Sequence, residues 1–289
     1  MAENTNLQPT YMRQRFLLSF IRQLKDNVSA TDLQKLVFLN NMNTEQRYYE
    51  FIPYKYGAYS FQLAEDVEIL CKSEFVSSEE SKIRAIGKYL NEGEFQIATE
   101  RGNNLLRKAY REHPYYAINS KILERLFSNE EAQIFNNEKT KYSNESRMLF
   151  TIGYEGKTIE EFVNVLIKSD IKLLCDVRKN PLSRKFGFSK NKLAHIVEGV
   201  GINYIHIPEL GIESDKRASL DTKEDYFLLF KEYSKSLPSR EEQLTQLHSL
   251  FLSKKRIALM CYEKEPEMCH RHVIRDYLLN SYEIRSEEL

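Results

Sequence analysis

The stretch RIALMCYEKEPEMCHRHVIRD, residues 256 to 276, reads as a short apolar run, a polar turn and a helix. Residues 257 to 260 are apolar enough for a buried strand, and apolar residues recur at helical spacing later in the stretch. Cys261 therefore falls at a strand end. The polar side chains near the amino end of the predicted helix are Cys269, His270 and Arg271. Backbone amides and the helix dipole favour anions there, so the stretch predicts a binding or catalytic corner.

Strand and helix patterns alternate from Met148 to the end of the chain. The runs that predict strands are residues 148–153, 171–177, 203–210 and 257–260, with YEIR at 282–285 as an edge strand. Most of these runs are separated by segments whose apolar residues recur at helical spacing. Repeated β–α alternation is typical of a mostly parallel sheet with helices on both faces. We therefore predict an α/β domain over residues 147 to 289.

The first 140 residues show a different pattern. Apolar stripes with helical spacing begin near Thr10, Ser29 and Ser60. The stretch EFVSSEESKIRAIGKYL, residues 74 to 90, then mixes short alternating runs with polar turns, which predicts a hairpin. Three helices and a hairpin fit a winged-helix module, and they also fit many small α+β domains. We predict a mainly helical α+β domain over residues 1 to 140, with a polar linker at 137 to 146.

Two amino-terminal stretches resemble a known group of domains. LQKLVFL at 33–39, followed by YKYGAYSFQLAEDVEIL at 54–70, is similar to Panacea or SocA-like domains, which are associated with antitoxins and regulators. Those families typically carry Tyr-Gly-Pro in the turn, where this chain has Tyr56, Gly57 and Ala58. The alternative interpretation of these stretches is a helical partner-binding domain without catalysis.

Composition argues against several classes of protein. The 289 residues are 29% charged with a net charge of zero, so no overall field attracts nucleic acid or a membrane surface. The four cysteines are too few and too unevenly spaced for a disulfide framework, and no signal-peptide pattern opens the chain. No apolar run approaches the roughly 18 residues that a membrane helix needs. We expect a cytoplasmic protein without a membrane partner.

A polar cluster follows the carboxyl end of each main predicted strand. The clusters are residues 153–157, 176–181, 206–211 and 261–263 with 269–271. In open parallel sheets these strand ends share one edge, and ligands bind there at the switch in strand order. We therefore expect the separate clusters to form one site.

The same clusters resemble the domain of unknown function 488 family. The matching segments are GYEGKTIEEF at 153–162, DVRKNPLSRKFGFSK at 176–190, YIHIPELG at 204–211 and CYEKEPEMCHR at 261–271. The resemblance covers roughly residues 147 to 282 and implies an α/β fold similar to rhodanese-type sheets, without a known reaction. The motif positions that it marks are Tyr154, Glu155, Asp176, Arg178, Pro181, Cys261, Glu263, Cys269, His270 and Arg271.

Fixed positive charge near the predicted edge indicates an anionic ligand. Arg178 and Arg271 can each hold a phosphate or carboxylate by two hydrogen bonds, which favours a nucleotide-like or nucleic-acid ligand. The predicted ligand-binding residues are Tyr154, Arg178, Arg184, Lys185, His206, Glu263 and Arg271. The alternative is an internal ion-pair network of these arginines with Asp176, Glu155 or Glu263.

Four residues are candidates for catalysis: Asp176, Glu155, Cys261 and His270. The carboxylates suit acid–base chemistry or a divalent metal beside a phosphate. Cys261 at a strand end suits sulfur transfer, although its acidic, glycine-free loop disfavours a phosphatase-like anion loop. Zinc-ligand types are present at Cys261, Cys269, His270, His272 and His206. Their spacing matches no standard pair, so no metal ligand is assigned.

Three functional hypotheses follow. The first is a two-domain protein whose carboxyl-terminal domain binds, and in one version processes, a nucleotide-like or nucleic-acid anion at the sheet edge. The second is a non-enzymatic regulator or defence-associated sensor that acts on nucleic acid or a protein partner through its amino-terminal domain. The third is rhodanese-like sulfur transfer through Cys261.

Overall fold

The computed structural model describes residues 8–24, 26–87, 95–213, 215–217 and 220–289. The chain divides into two compact units, Met1–Lys141 and Tyr142–Leu289. No helix within the described ranges is both long and apolar enough to cross a bilayer. The last three residues of the predicted hairpin stretch, 88 to 90, lie outside the described residues.

The amino-terminal unit is built mainly of helices. Its helices are α1 (Met12–Gln23), α2 (Ala30–Met42), α3 (Phe61–Lys72), α4 (Gly102–Glu112), α5 (Leu123–Leu126) and α6 (Asn129–Thr140). Its strands are β1 (Val28–Ser29), β2 (Ile52–Tyr54), β3 (Gly57–Tyr59), β4 (Val76–Glu79) and β5 (Lys82–Ala85). β4 and β5 form an antiparallel hairpin, and β1 adds to β5 to make three strands. The mainly helical α+β prediction is confirmed.

Side-chain caps explain where several of these helices begin. Ser29 and Ser60, at the predicted helix starts, each accept a hydrogen bond from a backbone amide of the first turn. Ser128 and Glu131 form a capping box at the start of α6. That helix runs to Thr140, so the predicted linker at 137–146 was wrong at its beginning. The cap and the buried Phe135 hold the helix past the point where the sequence turns polar.

One buried lysine stands out in the amino-terminal unit. Lys35 is only 1% exposed, and its Nζ donates to the carbonyl oxygen of Ala58 at 2.9 Å. Burial lowers the pKa of Lys35 to about 7, although the nearby carboxylate of Asp32 works in the opposite direction. The amino-terminal unit therefore contains a cation whose charge changes near neutral pH.

The carboxyl-terminal unit alternates strands and helices. Its strands are β6 (Met148–Gly153), β7 (Leu173–Asp176), β8 (Asn203–His206), β9 (Arg256–Cys261) and β10 (Ser286–Glu288). Its helices are α7 (Ile159–Lys168), α8 (Lys190–Glu198), α9 (Lys223–Ser236), α10 (Glu241–Lys254) and α11 (Arg271–Ser281). The strands form one parallel sheet in the order β10-β6-β9-β7-β8. The predicted parallel α/β fold is confirmed.

Both faces of this sheet are covered. On one face, residues of α9, α10 and α11 pack with odd-numbered strand residues such as Cys175 and Ile257 in a single buried cluster. On the other face, Phe188 packs edge-on against Phe162 of α7 at 5.3 Å between ring centroids. Short apolar strands buried on both sides are what a parallel sheet needs.

The edge strand begins later than predicted. Residues 282 to 285 were expected to pair, but the strand is Ser286–Glu288, which runs parallel to β6. The amide of Ile284 donates to the carbonyl of Tyr282 at 2.9 Å, and both side chains pack against the core beside α9–α11. Because apolar contacts hold this turn against the core, pairing with β6 begins only at Ser286. The strand predicted at 282–285 was therefore wrong by a few residues.

Candidate functional site at the carboxyl edge of the sheet

The carboxyl ends of the parallel strands meet at one edge. Gly153 lies beside Cys261 in the β6–β9 pair, and Asp176 lies beside His206 in the β7–β8 pair. Asp176 also lies beside Met260, the residue before Cys261. Because successive side chains on a strand point to opposite faces, Asp176 and Cys261 lie on different faces of the sheet. The predicted edge residues are therefore divided into two groups.

Core contacts identify the face of each group. Cys261 belongs to the cluster that packs with α9–α11. Tyr154 instead stacks on Phe188, on the side of α7, with ring centroids 4.2 Å apart. We call Tyr154, Asp176, Arg178 and Tyr204 the charged face. We call Cys261, Glu263, Cys269 and His270 the thiol face.

A buried ion pair forms the centre of the charged face. Arg178 donates from Nε to Oδ1 of Asp176 at 2.8 Å and from Nη2 to Oδ2 at 2.6 Å. The side chain of Asp176 is fully buried, and that of Arg178 is 6% exposed. Burial opposes the charged guanidinium, but the carboxylate outweighs it and raises the pKa of Arg178. The pair is held by two parallel bonds, the strongest geometry for this kind of contact.

The carboxylate of Asp176 has a full set of hydrogen bonds. Besides the guanidinium, it accepts from the backbone amide of Arg178 at 3.1 Å and from the hydroxyl of Tyr204 at 2.7 Å. A carboxylate offers about four acceptor positions, and all four are used. Burial and the neighbouring carboxylate raise the pKa of Tyr204, so its proton stays in place. This arrangement positions a loop and leaves Asp176 no free lone pair for acid–base chemistry.

Tyr154 joins the ion pair to the next loop. Its hydroxyl accepts from Nη1 of Arg178 at 3.0 Å and donates to Oγ of Ser183 at 3.4 Å. Its backbone carbonyl accepts from Nζ of Lys185 at 3.1 Å. Tyr154 itself is 4% exposed. The strand end and the loop after Arg178 are therefore held together by polar contacts.

His206 completes this side of the edge. Its Nε2 lies 2.8 Å from the carbonyl oxygen of Arg178, and its Nδ1 lies 3.2 Å from Nζ of Lys190. An ammonium group can only donate, and a carbonyl can only accept. The contacts therefore assign the donor role to Nε2 and the acceptor role to Nδ1.

The loop after the ion pair is strongly basic. Residues 178 to 192, RKNPLSRKFGFSKNK, contain six lysines and arginines and no acidic residue. Arg184 is exposed and has no carboxylate partner among the described residues. Burial lowers the pKa of Lys185, and the charge of Lys157 lowers it further, whereas Glu161 and Glu155 work in the other direction. Lys179 is paired with Glu213, whose Oε1 lies 2.7 Å from its Nζ, so the excess positive charge of the stretch comes from its other lysines and Arg184.

The thiol face brings three ligand-type side chains together in the core. The exposed fractions are 1% for Cys261, 1% for Cys269 and zero for His270. Nδ1 of His270 lies 3.7 Å from Sγ of Cys261 and 3.9 Å from Sγ of Cys269. The thiol of Cys261 also lies 3.4 Å from Oε2 of Glu263. Residues from a strand end, a loop and a helix start thus converge on one point.

The other ring nitrogen of His270 sets the direction of the imidazole. Nε2 lies 2.9 Å from the carbonyl oxygen of Val177, which requires a proton on Nε2. Nδ1 then presents its lone pair to the two sulfurs. His270 is the N-cap of α11, and its side chain makes no capping hydrogen bond.

Arg271 holds the loop after β9 to the last strand. Its Nη1 donates to the carbonyl of Glu263, and its Nη2 donates to the carbonyl of Lys264 at 2.9 Å and to Oε1 of Glu288 at 2.7 Å. The side chain is fully buried. These contacts place Arg271 in the kind of internal network that the sequence left as an alternative.

The same loop packs closely on Gly153. A Cβ atom at this position would lie 1.9 Å from the carbonyl oxygen of Glu263. The amide of Lys264 donates to Oε2 of Glu155 at 2.9 Å, which fixes the loop on its other side. Only glycine at position 153 permits the loop to approach β6 in this way.

The structure separates the predicted site residues as follows. Those on or beside the charged face are Tyr154, Asp176, Arg178, Lys185 and His206. Those on or beside the thiol face are Cys261, Glu263, His270 and Arg271. Arg184 lies on the exposed loop and Glu155 contacts the loop after β9. Sequence reasoning missed Tyr204 and Lys190, although Tyr204 stands two residues before His206 and therefore on the same face of β8.

The two thiols have an environment typical of inert cysteines. Cys261 is almost fully buried, whereas a reactive cysteine is partly exposed beside positive charge. Burial raises the pKa of Cys269, and Cys261 and Glu263 raise it further, against the effect of Arg271. The sulfur-transfer hypothesis thus lacks the exposed thiolate that it needs.

A protein-family model matches part of the carboxyl-terminal unit. The family model described as Domain of unknown function DUF488 matches residues 158–278. No curated protein matches the chain, and no solved structure does. The resemblance of the amino-terminal stretches to Panacea or SocA-like domains is not confirmed and stays a prediction. The resemblance of the carboxyl-terminal part to the domain of unknown function 488 family is confirmed for residues 158–278.

Proposed function

We propose that the carboxyl-terminal unit binds a phosphate-bearing ligand, a nucleotide or a nucleic-acid strand, along the charged face. The observation that carries the proposal is the acid-free basic stretch 178–192 beside a rigid ion pair. Phosphate groups are recognised by clustered lysine and arginine side chains that have not been neutralised by carboxylates. The exposed guanidinium of Arg184 meets this description.

Lysines within this stretch, and Lys157 beside it, support the same ligand. Burial lowers the pKa of Lys185 most, and repulsion from the charge of Lys157 lowers it further, against the raising effect of Glu161 and Glu155. A bound phosphate would relieve this repulsion and raise that pKa. Lys190 adds a third ammonium group next to His206. The site is therefore suited to an anion that contacts several cations at once.

Arg178 has a positioning role in this proposal. Its guanidinium is committed to Asp176 and Tyr154, and it fixes the start of the basic loop. Because Asp176 already accepts four hydrogen bonds, the geometry favours binding over acid–base catalysis. We therefore assign direct ligand contact to Arg184, Lys185 and Lys190.

The test is binding of labelled oligonucleotides and a panel of nucleotides to the full-length protein. The double variant Arg184→Ala with Lys185→Ala is compared with Lys235→Ala, which removes an exposed lysine from α9 on the opposite face of the sheet. We expect weaker binding in the double variant only. Each lost phosphate contact should reduce the slope of log affinity against log salt by about 0.7–0.9. An unchanged affinity and slope in the double variant would refute the proposal, as would absence of binding by the unaltered chain.

A second candidate is a regulator that acts through the amino-terminal unit. The observation in its favour is the element order of helix, short strand, helix, two short strands, helix and hairpin, with β1 paired to β5. α3 carries Glu65 and Glu68 outside the core, and these carboxylates repel phosphates and favour a protein partner over nucleic acid. Replacing Lys82 and Arg84 of the hairpin by Ala separates the two candidates. If that change weakens duplex DNA binding more than loss of Arg184 and Lys185, the amino-terminal unit is the nucleic-acid reader.

A further inference from the structure

We propose that Cys261, Glu263, Cys269 and His270 form a binding site for zinc or a similar thiophilic divalent cation. The three core members place Sγ, Sγ and Nδ1 within 4.8 Å of one another. Thiolate and imidazole ligands are the combination that zinc prefers in buried protein sites. The site is independent of the proposed anion site, because it lies on the other face of the sheet.

The spacing of the side-chain atoms fits tetrahedral coordination. Tetrahedral zinc with sulfur, nitrogen and oxygen ligands places neighbouring ligand atoms about 3.5–3.8 Å apart. The separation of 3.7 Å from Sγ of Cys261 to Nδ1 of His270 lies in this range, and that of 3.4 Å from the same sulfur to Oε2 of Glu263 lies just below it. Sγ of Cys269 lies 3.9 Å from Nδ1 of His270, so small movements complete the geometry.

The orientation of His270 is the one that a ligating histidine has. Metal-bound imidazoles usually donate their second N–H to a carbonyl or carboxylate, which fixes the ring and its tautomer. The contact from Nε2 of His270 to the carbonyl of Val177 at 2.9 Å does this. The Nδ1 lone pair is thereby directed at the two sulfurs before any cation binds.

Arg271 supplies a second, independent observation. Its Nε is buried and has no hydrogen-bond partner in the described chain. The side chains of Arg271 and Cys269 contact each other. A thiolate at Cys269 would give this orphan donor a strong acceptor.

Cation binding changes the protonation of the two cysteines. Binding releases the protons of Cys261 and Cys269 to solvent, so that two thiolates and the carboxylate of Glu263 surround a dication. One negative charge remains beside the guanidinium of Arg271, which is also paired with Glu288. No oxidation or reduction is involved. Because all three core ligands are buried, we assign a closed structural site that ties the end of β9 to the start of α11.

The test begins with metal content, measured by mass spectrometry of the purified full-length protein before and after incubation with zinc and dialysis. We expect stoichiometric zinc in the unaltered chain and in Cys175→Ser, which removes a buried thiol from the same core. Cys269→Ser should lower zinc affinity by more than the roughly 10–100-fold effect of second-shell changes. Cobalt in place of zinc should show thiolate charge-transfer absorption and the visible bands of a tetrahedral centre.

A second measurement covers the case in which the cysteine variants do not fold. Alkylation of Cys261 and Cys269 in the unaltered protein should be slow with zinc and faster after chelation, while Cys71 reacts equally in both. The proposal is overturned if the unaltered chain takes up no stoichiometric zinc and gives no cobalt–thiolate absorption. A Cys261–Cys269 disulfide that forms readily in the presence of zinc would also overturn it, because the pair would then be a redox couple.

Discussion

The two faces of the sheet edge arrange their polar side chains in different ways. On the charged face, Asp176, Arg178 and Tyr204 direct their donors and acceptors at one another, and every acceptor position of the carboxylate is used. On the thiol face, two sulfurs and an imidazole nitrogen converge to within 4.8 Å of one another. Polar groups whose hydrogen-bonding positions are all filled hold the structure in place. Ligand atoms that converge on one point are suited to binding a cation.

Two histidines make the contrast sharper. His270 donates from Nε2 to the carbonyl of Val177, and His206 donates from Nε2 to the carbonyl of Arg178. These are consecutive carbonyls of one chain segment, approached from opposite faces. The Nδ1 atom of His206 meets the ammonium of Lys190, while that of His270 meets two thiols. The same backbone anchor therefore supports two different chemical environments.

The largest effect is expected from Asp176→Asn, which leaves the buried charge of Arg178 unpaired. Breaking a buried pair from one side should lower the free energy of unfolding by about 3–5 kcal/mol. Chemical denaturation followed by circular dichroism measures this change. The control is Lys172→Met, which removes the exposed partner of Asp170 and should change stability by about 0–1 kcal/mol. Equal effects of the two substitutions would contradict a structural role for the ion pair.

The next effect compares the two histidines. His270→Ala removes a fully buried ring and leaves the Val177 carbonyl without its donor, which should destabilise the protein by about 2–4 kcal/mol. His206→Ala removes a half-exposed ring with the equivalent bond and should destabilise it by about 0.5–1.5 kcal/mol. Both are measured by denaturant unfolding with excess chelator, so that metal does not contribute. A larger loss of stability in His206→Ala than in His270→Ala would contradict the finding that the His270 ring is buried and the His206 ring is half-exposed.

A smaller effect is expected from Tyr204→Phe. This change removes one hydrogen bond to the Asp176 carboxylate without altering the ring, and it should lower the free energy of unfolding by about 1.5 kcal/mol. Tyr262→Phe is the matched control, because that tyrosine is 44% exposed on the loop after β9. If both variants are as stable as the unaltered chain, the fourth bond to Asp176 contributes nothing measurable.

Lys35 extends the comparison to a buried charge with no carboxylate bonded to it. Its folded-state pKa of about 7 lies below the unfolded value of 10.5, so the folded chain binds fewer protons between these pH values. Stability should therefore rise with pH across that window, by up to about 1.4 kcal/mol per pH unit, and this contribution should be lost as pH falls towards 7. Lys35→Met should remove the rise, and Lys82→Met, at an exposed position, should keep it. An identical pH slope in Lys35→Met and the unaltered chain would contradict the lowered pKa.

Most of the carboxyl-terminal fold could be predicted because its signals are local. The apolar runs at 148–153 and 171–177 are short enough for strands, and helical spacing follows each of them. Capping residues such as Thr158 mark where the helices begin. What failed was the position of the edge strand, since its start depends on how Tyr282 and Ile284 pack against distant helices.

The division of the site into two faces was harder to predict. In a strand buried on both sides, such as LLCD at 173–176, apolar residues occupy both faces and hide the alternation that separates Cys175 from Asp176. The thiol face depends further on the path of residues 262 to 270, which brings Cys269 back to Cys261. No local pattern encodes that return, and the eight-residue separation matches no standard ligand pair.

Gly153 has an evolutionary consequence. Any side chain at this position would displace the carbonyl of Glu263 and, with it, the segment that returns Cys269 to Cys261. Selection on the thiol face should therefore act on a glycine of a different strand that contributes no ligand atom. Among homologues we expect the glycine, the two cysteines and the histidine to be retained or lost as a group, and drift at Gly153 should accompany or precede loss of the thiols.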